Sequence, residues 1–287
     1  VVGTCMSTFT KNVPGASITY DIHGELTAGS IPLLLIGSPM DAGGFATLAA
    51  HFPDRTVVTY DPRNTGRSTR DDPTAAVTVA QHADDLHALL GALGSGPVDM
   101  FASSGGAVNA LELVARYPDD LRVLVAHEPP AGGALADRAA LESVCSAMVS
   151  TYDSSGLGPA MAQFIALVMH RGELDSEYLA RPVPDPSAFG LPTEDDGDRT
   201  DPLMANMRGG VVEFVPDVEA VKAARTRTVV AVGADSGGPS DGELAARSAY
   251  AVAELLGTDA VVFPGGHADF SGERAEEFAA ALREVLA

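Results

Sequence analysis

Ser104 stands in MFASSGGAVNALELVARYP (100–118), between a short apolar run and a helix-like pattern. A nucleophile on a tight strand-to-helix turn needs small residues two before and two after it, because the turn leaves no room for a branched side chain. Here those positions hold Ala102 and Gly106, so the stretch matches a G-x-S-x-G elbow with Ala for the first glycine. The helix N-terminus behind the serine would offer free N–H groups and partial positive charge to a developing oxyanion. The competing reading is that Ser104 merely caps the helix; its neighbour Ser103 lacks the flanking pattern and is the weaker candidate. His267, in VVFPGGHADF (261–270), follows the last strand-like run in a Gly-rich loop, where a general base would have to lie to reach Ser104. A third stretch, LLLIGSPMDAGGF (33–45), makes a sharp Gly-containing turn after another strand-like run. There the amide of Ser38 is the candidate for one oxyanion donor and that of Gly105 for the other, against the plain alternative of an ordinary loop. Acyl transfer is the chemistry such a set would perform.

The other histidines have no comparable setting. His82 and His87 fall on a helical pattern, while His23, His51, His127 and His170 stand alone. No H-x-x-x-H or H-E-x-x-H spacing occurs, so a metal site is not expected. Cys5 and Cys145 make neither a disulfide framework nor a metal site.

Eighteen basic against thirty-nine acidic residues give a formal charge of −21, a surface that repels phosphate backbones and anionic lipids. The expected partner is a small-molecule substrate, with no nucleic acid and no membrane; the oligomeric state is not legible. No apolar run approaches the ~18 residues of a membrane span. The start, VVGTC, has no basic segment ahead of a longer apolar one, so no signal peptide is expected and the cytoplasm is the default compartment. Met6 in MSTFTKN reads as a natural start.

The elements that must position these residues follow a rhythm of apolar runs and amphipathic stretches, the pattern of βα units around a mostly parallel sheet. Strand-like runs occupy 17–22, 32–37, 56–61, 97–102, 122–127, 228–233 and 260–265. Helical patterns include a stripe of Val79, Ala83, Leu86, Leu90 and Leu93, a segment from Ala107 to Tyr117, and a last one carrying Phe278, Leu282 and Val285. From about Pro129 to Met207 no strand is expected. Residues 135–152 and 157–170 read as helices carrying Met148, Met161 and Met169, and 181–202 is too rich in Pro and Asp for a regular element. Such an insertion is a natural lid, its methionines either ordinary packing or a flexible wall for an apolar ligand.

Most of the chain resembles the α/β-hydrolase fold superfamily, in its serine-nucleophile branch of esterases, lactonases and haloperoxidase-like enzymes. Four motifs in order carry the resemblance: LLLIGSPMDAGGF is similar to the H-G-x-P turn, YDPRNTGRS (60–68) to the Y-D-x-R-G-x-G-x-S segment, ASSGGAVNALELVARYP to the elbow and its helix, and FPGGHADF to the histidine loop. Ile36 stands where the family usually has His, and Asn64 where it often has Gly. The resemblance implies an eight-stranded, mostly parallel sheet with a helical cap inserted after the sixth strand. The hydrolase core then covers 6–128 and 211–287 and the cap 129–210. It also implies a catalytic acid, for which two residues compete. The usual place lies in the loop GADSGGPSDGE (233–243), where simplest register falls on Ser236 and Asp235 precedes it; the other, used by some relatives, lies at the end of the sixth strand, on Glu128 in AHEPP. Either could orient His267, a solvated or capping carboxylate being the plain reading of each.

Epoxide hydrolases and haloalkane dehalogenases of this fold use Asp at the elbow; Ser argues for acyl transfer. The expectation is a cofactor-free serine hydrolase acting on an ester or lactone of a small, fairly apolar molecule. The alternatives are a C–C bond hydrolase or ring-forming or ring-opening enzyme with the same triad, a haloperoxidase-like perhydrolase, or a hydrolase-like ligand-binding protein without turnover.

Overall fold

Apolar runs without polar alternation make strands buried on both faces, which is what a parallel sheet between two helical layers requires. The computed structural model describes residues 6–287; residues 1–5, Cys5 and the segment before Met6 included, lie outside the described residues. In chain order the elements are β1 (Met6–Val13), β2 (Ala16–His23), β3 (Leu33–Ile36), α1 (Ala46–Ala50), β4 (Val57–Tyr60), β5 (Thr69–Arg70), α2 (Val79–Leu93), β6 (Val98–Ser103), α3 (Gly105–Arg116) and β7 (Leu121–His127). There follow α4 (Arg138–Ser155), α5 (Leu157–Met169), α6 (Ser176–Leu179), α7 (Pro202–Arg208), α8 (Val218–Ala223), β8 (Arg227–Gly233), α9 (Leu244–Leu256), β9 (Val261–Phe263) and α10 (Ala275–Leu286).

Among the described residues the sheet has nine strands, in the order β1-β2-β4-β3-β6-β7-β8-β9 with β5 paired to β2. All neighbours from β4 to β9 along this order are parallel, while β1, β2 and β5 pair antiparallel at one side. Side chains alternate as the pleat demands. Leu34 and Ile36 of β3, with Leu124 and Ala126 of β7, face the larger apolar core, which includes residues of α2, α3 and α9. Leu33, Leu35, Val123 and Val125 face the other layer, with Phe45 and with Phe278 and Leu282 of α10; there the rings of Phe278 and Phe101 lie 5.4 Å apart.

Every expected strand is present within a residue or two, and the stripe Val79, Ala83, Leu86, Leu90 and Leu93 is buried along α2. Thr78 opens that helix in a capping box with Gln81, and Gly94 closes it at φ 63°. Several elements go beyond the sequence expectation, β1 and α9 among them. β1 is a mostly exposed strand held by its register with β2 rather than by burial, and α9 is the crossover helix that joins the paired parallel strands β8 and β9.

Among the described residues no strand lies between His127 and Arg227. The expected helices there appear as α4 and α5, while 181–202 contains only a short 3-10 turn at Pro186–Phe189. α4 packs on α5 and α7, and a buried ion pair between Arg247 of α9 and Asp137 (2.7 Å) fastens the start of α4 to the core. Asp201 caps α7 through the Met204 amide (3.0 Å), with Pro202 at its first position, fixing the helix that carries Asn206 and Met207.

The parallel register lines up the strand ends that matter. Ser103 pairs with His127, His127 with Ala231, and Gly233 with Phe263, so the loops after β6, β7, β8 and β9 emerge side by side at the carboxyl edge of the sheet.

Candidate active site

Ser104 follows six buried residues of β6 and precedes α3, and the chain turns there at φ 56°, ψ −130°. A left-handed φ on a non-glycine residue costs energy and persists only where the surroundings impose it. Here they do. The Ser104 amide donates to the His127 carbonyl (3.0 Å) and its carbonyl accepts from the Ala107 amide (2.9 Å). A Cβ on Gly106 would lie 2.7 Å from Gly37 Cα, and one on Gly105 would lie 2.5 Å from the Ser38 carbonyl oxygen. The turn therefore rests backbone against backbone on the loop after β3, which explains the glycines. The Ser104 hydroxyl makes no cap to the helix it precedes, so the N-cap reading does not describe it.

His267 lies in the loop after β9, where Gly265 turns at φ 83° and the Gly266 amide donates to Asp269 Oδ2 (2.7 Å). Its Nδ1 is 2.5 Å from Glu128 Oε2. Glu128 itself is fully buried, at φ 47°, and its second oxygen accepts from the Gly233 amide (2.8 Å). Burial alone would push this carboxyl up, but the His267 hydrogen bond and the field of the His127 imidazole outweigh it and hold it down at about 2. A carboxylate on Nδ1 fixes the tautomer in which Nε2 keeps its lone pair. His267 lines the same cavity as Ser104.

Asp235, the rival acid, is not brought to His267. Its amide is tied to the Gly265 carbonyl (3.0 Å), and its exposed carboxylate pairs with Arg274 (3.1 Å). Ser236, the residue of simplest register, is buried beside it. His127 lies under the site, packed among Phe101, Phe263 and Phe278 with ring centroids 5.3–6.2 Å away. Burial pushes its imidazole down to about 4, so it is neutral at pH 7.

Gly105 is the first residue of α3, whose leading amides have no partner within the helix. With Ser38 against it, two backbone donors can converge beside Ser104. Ser38 is also held by a contact that sequence reading missed. Asn206 Nδ2 donates to Ser38 Oγ (3.0 Å), and Asn206 Oδ1 lies 2.8 Å from His82 Nε2. No local pattern announces this chain, since Asn206 comes from 168 residues away.

A cavity of about 400 Å³ opens over these groups. Phe164, Leu167 and Val168 of α5, Leu203 and Met207 of α7 and Leu244 of α9 make it chiefly apolar. Of the methionines weighed as core or wall, Met148 is fully buried and Met169 borders the cavity. Among the described residues that line it the one carboxylate is Glu243, which is paired with Arg171 (3.2 Å). Among the described residues no group of three or more His, Cys, Asp or Glu is placed to hold a metal, and no helix is long and apolar enough to cross a membrane.

Residues 31–190 match a family model described as the alpha/beta hydrolase fold. An uncharacterized hydrolase of Bacillus subtilis, YraK, is 30% identical over 281 residues, covering 96% of this chain and 95% of that protein. Among solved structures, a thermophilic esterase from Thermogutta terrifontis has a TM-score of 0.65 at 20% identity, covering 98% of each chain. The enol-lactonase from Burkholderia xenovorans has a TM-score of 0.66 at 17% identity, covering 96% of this chain and 99% of its own.

Proposed function

This chain belongs to the alpha/beta hydrolase fold family, and we propose that it is a serine hydrolase cleaving an ester or lactone of a small, uncharged, largely apolar molecule. The observation that carries this reading is the conjunction at the sheet edge: an uncapped serine on a strained elbow, and a histidine in the same cavity whose Nδ1 is held by a buried carboxylate. In this mechanism Ser104 attacks the carbonyl carbon while His267 Nε2 takes the hydroxyl proton. Glu128 keeps the imidazole oriented and stabilises it once charged, without taking the proton. The amides of Ser38 and Gly105 bind the oxyanion. The tetrahedral intermediate collapses as His267 returns the proton to the leaving oxygen, and water, deprotonated by the same imidazole, releases the acyl group and regenerates Ser104.

The segment 129–210 acts as the cap. α5 and α7 bring the apolar walls over Ser104, which supports an apolar substrate of a size the cavity can hold. Ester or lactone hydrolysis is favoured over C–C bond hydrolysis because the lining named above offers no charged group for an acidic or enolate side arm, the rim carboxylate being already paired. The esterase and enol-lactonase likenesses support the same class of substrate, though each shows only the fold. Rates on a panel of p-nitrophenyl esters and aliphatic lactones, with Ser104→Ala as the blank, test the proposal; turnover that persists in the blank contradicts it.

A further inference from the structure

Ser38, Asn206 and His82 form a buried polar chain that crosses from α2 through α7 to the oxyanion loop, each residue less than a tenth exposed. Its polarity follows from the inventory of donors. An amide side chain offers one accepting oxygen and one donating nitrogen. With the nitrogen on Ser38 and the oxygen on His82, Nε2 of His82 carries the proton and its Nδ1, which has no partner among the described residues, keeps a bare lone pair. Turning the amide over would move the proton to Nδ1 and leave a buried N–H with no acceptor, the costlier orphan. Burial pushes the His82 imidazole below its usual value, which keeps it neutral with a single N–H.

Ser38 Oγ is therefore an acceptor toward Asn206, and its own proton must point elsewhere. Among the described residues that proton has no protein acceptor, and Ser38 lines both the main cavity and a smaller space of about 120 Å³ beside Ser104 and His267. We propose that the Ser38 hydroxyl is a third oxyanion donor, catalytic in the sense that it touches the reacting oxygen, and that Asn206 is a positioning residue that aims it from the helical segment. This rests on the serine-hydrolase reading above. Three donors in series, His82 to Asn206 to Ser38, polarise one another toward the developing negative charge. The bond to the oxyanion strengthens only as that charge forms, so it acts on kcat rather than KM.

Steady-state kinetics on p-nitrophenyl butyrate test this with Ser38→Ala and Asn206→Asp, each checked by saturating fluorophosphonate labelling of Ser104. Ser38→Ala keeps the amide donor and deletes only the hydroxyl; kcat falls about 100-fold with KM little changed. Asn206→Asp puts an acceptor where a donor stood, draws the Ser38 proton away from the cavity and reproduces that loss. The double variant is no slower than either single one, because both remove the same hydrogen bond. An unchanged kcat in Ser38→Ala, or a loss confined to KM, overturns the inference while the wild-type turnover leaves the serine-hydrolase reading standing. Asn206→Asp at the wild-type rate also overturns it, since the hydroxyl would then already donate to residue 206. A wild type that neither labels nor turns over removes both readings together.

Discussion

His267 Nδ1 and Glu128 Oε2 lie 2.5 Å apart although 139 residues separate them in the chain. The contact depends on Glu128 leaving β7 with φ 47°, a conformation few residues tolerate, which lets its carboxylate bridge the Gly233 amide at the end of β8 and the histidine loop after β9. Strand order makes this economical: β7 is the neighbour of β8, and β8 of β9.

Glu128→Gln removes the charge that stabilises the imidazolium and disturbs the tautomer, so kcat on a p-nitrophenyl ester is expected to fall by about three to four orders of magnitude. Asp235→Asn, which loses only an exposed pair with Arg274, changes it by less than about twofold. Initial rates on the two variants check this, and the reverse ranking would move the acid to the loop after β8.

Gly106→Ala places a Cβ 2.7 Å from Gly37 Cα and 2.9 Å from Gly37 C, backbone atoms that cannot swing aside. We expect a loss of about 1–3 kcal/mol in unfolding free energy and a displaced Ser104. Gly91→Ala, in α2 with nothing within 4 Å of the new Cβ, is the contrast and gains about 0.5–1 kcal/mol. Urea titrations of both variants read the difference.

Acid should destabilise the protein in two steps. Folded His127, held by burial at about 4 against its ordinary 6.5, stays neutral while the unfolded chain takes up a proton; stability therefore falls as pH drops from 6.5 toward 4. Glu128 opposes burial through its His267 hydrogen bond and sits at about 2 against 4.5, so its contribution, complete above 4.5, is lost as pH falls from there to 2. The first step is limited to about 3 kcal/mol. His127→Phe, in a pocket of phenylalanines, reduces the slope of the unfolding free energy between pH 6.5 and 4.5, leaving the share owed to the likewise lowered His82, whatever it does to the absolute value; an unchanged slope contradicts the assignment.

Much of this was legible in the residues. Uninterrupted apolar runs marked the central strands, because strands buried on both faces cannot alternate. The small residues around Ser104 marked the elbow, because the backbone contact with Gly37 leaves no room for larger ones. What escaped depends on contacts rather than local pattern. β1 is exposed and gains its order from pairing with β2, so it carries no burial period. Glu128 and Asp235 were equivalent in sequence because loop paths, not residue types, decide which carboxylate reaches His267. Asn206 could not be found at all, since nothing in LMANMR marks an asparagine that donates to Ser38, 168 residues away in the chain.

Whether Ser104 is an activated nucleophile is tested most directly by intact-mass measurement after treatment with a fluorophosphonate. The account predicts one covalent adduct on the wild type, none on Ser104→Ala, and slowed labelling in Glu128→Gln. An adduct that survives Ser104→Ala, or a folded wild type that takes up no probe, contradicts it.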